Sequence, residues 1–279
     1  MSCLLLGEVI FDCFGDKKVI GGAPFNVAWN LTGFGCDILY CGAVGRDAEG
    51  DEALEVMQNW GISTKAVARV EKPTGRVTVV FEQNEPVYDI NSDQAYDYIP
   101  VPDLEDSSPK LLYHGTLALR GETLHTLRSI KEKLGVSVFC DLNLREPWFT
   151  KELIESVVRN AKYLKVNKEE ISHFTQNLSD IQTALSEVRT AYGIEVIFLT
   201  CGAEGAYLSC EECFIFKEAG ESRAFVDSVG AGDGFSAVCI YGILNAWPYE
   251  KILEKAIEFA GRVCGIQGAT SRDLSFYSL

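Results

Sequence analysis

Two aspartates bracket a run of very small residues late in the chain, Asp227-Ser228-Val229-Gly230-Ala231-Gly232-Asp233, which continues into Gly234-Phe235-Ser236-Ala237-Val238. An apolar stretch at helical spacing follows as far as Leu244, so the spacing predicts a tight loop opening a buried helix. Gly230 and Gly232 let the backbone turn and approach a ligand closely, and the first N–H groups of a helix carry partial positive charge outward. Such a start is an anion site. One aspartate there would be explained as a helix cap, whereas two bracketing the turn are harder to explain that way. A carboxylate beside an anion site suits a general base that takes a proton from a hydroxyl while the N–H groups hold charge building on a transferred phosphoryl group.

Other chemistry-bearing residues stand at the ends of apolar runs. Residues 3 to 11 form such a run, interrupted by Gly7 and Glu8, and read as one strand of a parallel sheet with Asp12 just past its end. Open α/β sheets bind ligands there, although a turn aspartate is the plainer reading. Gly21-Gly22-Ala23-Pro24-Phe25-Asn26 opens a helix at Pro24, and the Asn26 amide can serve either as a local hydrogen-bonding group or as donor and acceptor to adjacent hydroxyls. After the run ending in Cys140 come Asp141, Asn143 and Arg145, whose alternation sends three polar side chains to one side of an extended segment. Arg145 is either an ion-pair partner or a group for an anionic or phosphorylated ligand. Asn167-Lys168-Glu169-Glu170 has the form of a helix cap with acidic residues in its first turn. Thr200-Cys201-Gly202-Ala203-Glu204-Gly205 closes another apolar run as a turn.

These segments resemble, residue by residue, the motifs of the ribokinase-like carbohydrate kinases, the PfkB family. Asp227 to Asp233 is similar to the signature D-T-x-G-A-G-D with Ser228 in place of threonine, Gly21 to Asn26 to G-G-x-x-x-N, Asn167 to Glu170 to N-x-x-E, and Thr200 to Gly205 to T-x-G-x-x-G. The resemblance covers nearly the whole chain and is nearest to bacterial fructokinases. It implies a three-layer α/β fold, a mostly parallel central sheet flanked by helices with a small β lid, in one domain spanning 1–279. Asp233 is then the base, and Gly230, Ala231 and Gly232 hold the phosphoryl group. Asp12, Gly22, Asn26 and Arg145 contact the sugar. Asn167, Glu170, Thr200, Gly202, Gly205 and Gly268 serve the nucleotide, with Glu170 and Asn167 organising Mg2+ through water. Asp227 and the Val229 carbonyl seat a monovalent cation, K+. The implied reaction is ATP-dependent phosphorylation of a sugar, with fructose favoured by Gly7-Glu8, Asp12 and Ala95-Tyr96-Asp97. Ribose, 2-keto-3-deoxygluconate and nucleosides stay open as acceptors, as does a catalytically silent sugar-binding protein. An NAD-dependent oxidoreductase is disfavoured: its loop wants a third glycine at 235, which is Phe, and two aspartates would face the pyrophosphate.

The elements that must position these groups alternate between apolar runs and amphipathic stretches. Helices are expected at Ala48 to Trp60, ended by Gly61, at Glu122 to Leu134, ended by Gly135, at Lys151 to Asn160 and at Tyr249 to Cys264. Between Pro73 and Tyr98 the texture turns β-rich, with Arg76 to Phe81 and Val87 to Ile90 separated by Asn84-Glu85-Pro86. This excursion, with a lid spanning roughly 12–20 and 72–100, reads as a water-excluding cover or an edge hairpin, and the resemblance favours a lid that also forms a homodimer surface.

Forty acidic residues against 25 basic give the 279-residue chain a net charge of -15, which disfavours nucleic acid and anionic membrane surfaces. An acidic protein that binds a nucleotide must then gather positive potential locally. Ten cysteines scattered through apolar runs read as buried, reduced thiols of a cytoplasmic protein. Cys210-Glu211-Glu212-Cys213 reads as a hairpin turn rather than a metal or redox motif. Leu4-Leu5-Leu6 lacks a basic lead and reads as a first strand, not a signal peptide.

Overall fold

The computed structural model describes all residues except 1, 15–16, 83–84, 105–107, 176 and 221–224. A nine-stranded sheet forms the middle layer, in the spatial order β13-β12-β11-β10-β9-β8-β1-β4-β5. Its parallel strands are β1 (Cys3–Leu6), β4 (Ile38–Gly45), β5 (Val67–Val70), β8 (Leu111–His114), β9 (Ser137–Asp141), β10 (Tyr163–Asn167) and β11 (Val196–Thr200). The antiparallel strands β12 (Ala206–Ser209) and β13 (Phe214–Lys217) finish one edge. Strand side chains alternate between two cores: Cys3, Leu5, Tyr113 and Phe139 pack on one face, and Leu4, Leu6, Leu112 and Val138 on the other. Near-continuous apolar strands are what a sheet covered on both faces requires.

The first face carries α1 (Ala23–Gly33), α7 (Ala231–Leu244) and α8 (Tyr249–Val263). Buried residues run almost all round α7, from Gly234 to Ile240, so it lies between neighbours instead of on the surface. A row of rings, Tyr113 on β8, Phe139 on β9 and Phe198 on β11, crosses the sheet at centroid spacings of 6.1 and 6.0 Å, and Phe235 of α7 meets Phe198 edge-on at 6.2 Å. Aromatic contacts of this kind fix the height of α7 above the sheet. The second core packs against the elements α3 (Thr123–Leu134), α4 (Lys151–Val158) and α6 (Ile181–Tyr192), while α2 (Ala48–Trp60) lies beside β4 and α5 (Lys168–Ile171) follows β10 directly. The helices expected from the sequence therefore form, α4 and α8 ending one or two residues earlier than read.

Residues 3 to 11 do not form one strand. The chain leaves the large sheet after Leu6 and re-enters extended structure as β2 (Ile10–Phe14) in a separate four-stranded sheet ordered β3-β2-β6-β7, with β3 (Lys17–Gly21), β6 (Gly75–Glu82) and β7 (Glu85–Ile90). Gly7 makes the crossing possible, because a Cβ there would lie 2.3 Å from Pro24 Cγ of α1. Asp12 accordingly sits within β2, paired with Val19 and Val77, and not beyond the end of a strand of the central sheet. The turn read at Asn84-Glu85-Pro86 lies partly outside the described residues. A second correction concerns cysteine: Cys210 and Cys213 are joined by a disulfide at the β12–β13 turn, whereas the other eight are free. Among the described residues no helix is long and apolar enough to cross a membrane.

Asp47 couples the two sheets. As the cap of α2 it accepts from Gly50 N–H at 2.8 Å, and its carboxylate also accepts from Thr74 N–H and Oγ1 at 2.8 and 2.5 Å, just ahead of β6. Burial pushes its pKa up, but these hydrogen bonds outweigh that and leave it below the ordinary value. Asp47→Ala should lower stability by roughly 1–3 kcal/mol, combining a lost cap with unsatisfied Thr74 groups. Urea denaturation of both proteins measures this directly.

Candidate active site

The parallel strands end together along one edge, where loops bring the predicted residues into two adjoining groups. Gly230, in a left-handed conformation (φ 78°), caps α7, and Ala231 N–H bonds back to Ser228 O at 3.2 Å. The next N–H groups, of Gly232 and Asp233, have no partner among the described residues, as the first turn of a helix leaves them. Residues 230–233 are half-buried and Ser228 and Val229 exposed, so the helix start is open to an incoming group. Asp227 organises the approach: Val229 N–H donates to its Oδ1 at 3.1 Å and Gly268 N–H to its Oδ2 at 3.4 Å.

Asp233 faces the first turn of α1. Asn26 Nδ2 donates to Asp233 Oδ2 at 2.8 Å, a contact between residues 207 apart in sequence. Burial pushes the Asp233 carboxyl up to about 6; the Asn26 hydrogen bond opposes the shift, Asp141 adds to it, and Lys165 and Arg145 oppose it. Asp12 and Asn26 both approach the turn into α1, since Asp12 Oδ2 and Asn26 Oδ1 lie 3.6 and 4.0 Å from where a Cβ on Gly21 would stand. Arg145, exposed on the loop after β9, is close enough to draw down the pKa values of Asp12, Glu8 and Asp233. Asp12 is nonetheless held above the ordinary value, chiefly by burial.

A second group lies where β10 and β11 end side by side, with Asn167 and Thr200 paired in register. Asn167 Oδ1 accepts from Glu169 and Glu170 N–H at 2.9 and 2.8 Å, while Glu170 returns a carboxylate oxygen to Asn167 N–H at 2.9 Å and gives the other to Leu144 N–H at 2.9 Å. The tetrapeptide is a capping box, as its form in the sequence suggests, and it keeps a buried carboxylate at the strand ends. With both oxygens accepting from backbone, Glu170 would reach a divalent cation through water. Among the described residues no cluster of three or more His, Cys, Asp or Glu side chains could hold a metal directly. Gly202 lies exposed in the following turn, whereas Gly205 is buried against Lys217, whose carbonyl oxygen would be 2.0 Å from a Cβ.

The structure does not send Asp141, Asn143 and Arg145 to one side. Asp141 is fully buried beneath α7, accepting from Lys165 Nζ at 3.0 Å and Ser236 Oγ at 2.7 Å. Asn143 takes a positive φ of 39°, which ends the extended alternation, and Arg145 is exposed. Lys165 was not singled out from sequence; lying inside an apolar strand, it carries no motif beyond standing two residues before Asn167. Its ammonium lies 3.2 Å from where a Cβ on Gly232 would stand. Burial works against that charge, but Asp141, Glu170 and Asp233 outweigh it and raise the pKa. Glu8 was read only as part of a resemblance, yet it is 3% exposed and one carboxylate oxygen has no hydrogen-bond partner. Burial lifts its pKa to about 7, with Arg145 opposing and Asp233 adding.

A model of the pfkB family of carbohydrate kinases matches residues 4–275. The fructokinase of Escherichia coli is 28% identical, the match covering 96% of this chain and 93% of that protein. Among solved structures, 2-dehydro-3-deoxygluconokinase of Thermotoga maritima superposes with a TM-score of 0.84 at 22% identity over 99% of this chain and 98% of that one. Vibrio cholerae fructokinase, in a form with fructose, ADP and potassium ion bound, gives 0.82 at 21% identity over 99% and 97%.

Two stability outcomes follow from the buried charges. Lys165→Met strands the Asp141 carboxylate and should cost roughly 3–5 kcal/mol in urea denaturation, much of it recovered when Asp141→Leu is added. For Glu8 the folded pKa of about 7 lies above the ordinary carboxyl value of 4.5, so the folded state holds the proton more tightly and stability falls as pH rises through 7. Relative to wild type, Glu8→Gln should gain about 3 kcal/mol at pH 8 and nothing at pH 4. Melting temperatures at both pH values test it.

Proposed function

Because the chain belongs to the pfkB family of carbohydrate kinases, we propose that it transfers the γ-phosphoryl group of ATP to a hydroxyl of a sugar, with fructose as the leading acceptor. The observation that carries this reading is the pairing of the Asp233 carboxylate with the unpartnered N–H groups at the start of α7. Asp233 takes the proton of the acceptor hydroxyl. The freed oxygen attacks the γ-phosphorus in line, and the bond to the bridging oxygen of ADP breaks. The N–H groups of the Gly230-Ala231-Gly232 turn, at the positive end of the helix, face the charge on the transferring group. Lys165 beneath Gly232 adds fixed positive charge in a site where water offers little.

Asp12, the Gly22 turn, Asn26 and Arg145 form the acceptor side, and the hydrogen bond from Asn26 holds the base toward that side. Asn167, Glu170, Thr200, Gly202, Gly205 and Gly268 form the nucleotide side. Mg2+, carried by the phosphates and held through water by Glu170 and Asn167, would neutralise their charge and orient the γ-group. Asp227 and the Val229 carbonyl would seat K+ beside the loop. The four-stranded sheet is read as a lid on one domain spanning the chain, excluding water that would otherwise compete as acceptor, and as the face on which a second copy docks. A cytoplasmic location is part of the proposal, since the reaction draws on ATP. Fructose is supported by the identity to the Escherichia coli fructokinase.

A coupled ADP-release assay with fructose should give turnover that Asp233→Asn lowers by three or more orders of magnitude, with sugar binding changed little. Since the base must be ionised, kcat/KM should rise with pH through about 6 and then level off. Asn26→Leu removes a hydrogen bond that favours the ionised form, so the rising limb should move to higher pH. Unchanged turnover in Asp233→Asn, or a limb displaced toward lower pH in Asn26→Leu, would refute Asp233 as the base.

A further inference from the structure

Phosphoryl transfer calls on Asp233, the start of α7 and the strand ends, and leaves Glu8 without a task. The position of Glu8 is nonetheless closely fixed. Tyr40 Oη lies 3.2 and 2.6 Å from the carbonyl oxygens of Gly7 and Glu8, to which it donates, so the backbone is pinned where the chain crosses between the sheets. The side chain lies beside the turn into α1, with Cγ 3.3 Å from where a Cβ on Gly22 would stand. Asp12 and Asn26 approach the same turn at Gly21, and Asp233 reaches it through Asn26. Burial raises the pKa of the Glu8 carboxyl most, Arg145 lowers it and Asp233 adds to the rise. The base, the guanidinium and Glu8 therefore share one neighbourhood.

That neighbourhood is incomplete at one atom. Glu8 is 3% exposed, and its Oε2 has no hydrogen-bond partner. A buried acceptor left unsatisfied costs on the order of 1–3 kcal/mol, and more when it is charged. Among the described residues the other charged side chain with a buried orphan is Arg120, at Nη1. Its remaining nitrogens are engaged: Nε and Nη2 hold Asp97 at 2.7 and 3.1 Å, and Nη2 also donates to Tyr96 Oη at 2.7 Å. The rings of Tyr96 and Trp148 lie over its guanidinium at 4.9 and 4.1 Å. These contacts tie residues 96–97 to the segment after β8 and account for Arg120 as a fastening. No comparable set accounts for Glu8. An ionised carboxylate accepts hydrogen bonds and never donates them, so whatever completes Oε2 must bring a donor, as a hydroxyl of an arriving sugar does. Local rules of polar satisfaction are broken in proteins chiefly at functional sites.

We propose that Glu8 is a specificity-determining residue, its free oxygen accepting a hydrogen bond from one hydroxyl of fructose other than the hydroxyl that Asp233 deprotonates. This rests on the kinase reading and adds a contact which that reading does not contain. Glu8 thereby sorts sugars by whether a hydroxyl stands at one particular position.

The probes are fructose and its monodeoxy derivatives. Calorimetric binding at pH 8, with magnesium and a non-hydrolysable ATP analogue, is run beside ADP release with ATP. Glu8→Gln keeps the shape of the side chain and replaces a charged acceptor by an amide, so it should weaken fructose binding about tenfold. KM should rise by a similar factor and kcat should fall much less. One deoxy sugar, and no other, should bind both proteins within about twofold, because it lacks the hydroxyl that Glu8 holds. A merely structural role would move every sugar alike. Since the folded state holds the Glu8 proton tightly, Glu8→Gln is the more stable protein at this pH, and weakened binding is not lost folding. An equal loss for fructose and every deoxy sugar, or no loss for fructose, would overturn the inference and leave phosphoryl transfer intact. The expected binding pattern without ADP release would uphold the contact and overturn the kinase reading, and fructose that does not bind would overturn the contact together with the choice of acceptor.

Discussion

One buried carboxylate sets the place of the whole site. Asp141 ends β9 under the first turns of α7, and its two oxygens take a hydrogen bond from Lys165 of β10 and one from Ser236 of α7. The helix is thereby tied to two adjacent strands at the height where its free N–H groups begin. A charge so deeply buried is tolerable only while its partners stay in position, and this makes the geometry strict. The aromatic row of Tyr113, Phe139 and Phe198 supports the same helix from below through Phe235.

Given that fixed helix start, the rest of the site is a matter of what converges on it. The first turn of α1 faces that of α7, so Asn26 reaches Asp233. The crossing at Gly7 carries the chain from the large sheet to the small one and brings Glu8 and Asp12 to the same side. The loop after β9 contributes Arg145, and the ends of β10 and β11 contribute Asn167 and Thr200. Opposed electrostatic demands are thus separated by a few ångströms. A cation beneath the helix start and unpaired N–H groups suit a phosphoryl group, while carboxylates on the other side suit hydroxyl donors.

That separation also explains how a chain of net charge -15 can be organised around an anion site. Positive potential comes from backbone and from one buried lysine, not from a surface patch. On the small sheet, Lys18 and Arg76 are paired with acidic residues of α2.

Much of this was legible in the amino-acid order. Apolar runs alternating with amphipathic stretches specify a covered parallel sheet, because side-chain burial on both strand faces leaves that signature wherever it occurs. The turn at Gly230 and the double glycine before α1 are equally local, since backbone conformation there depends on the residue itself. What the order of residues did not disclose is anything that depends on distant partners. Gly7 to Val9 reads as a continuation of an apolar strand until the packing of Pro24 shows why the chain must leave the sheet. Asp141 and Arg145 look equivalent in alternation, but a positive φ at Asn143 and the proximity of Lys165 send one inward and leave the other outside. Lys165 is invisible as a functional group, and Glu8 stands out only through the resemblance, for the same reason: a charge inside an apolar run acquires meaning only from what tertiary structure sets beside it. Local conformation was thus written in the residues themselves, whereas the electrostatic character of the site was decided by contacts between segments up to 207 positions apart.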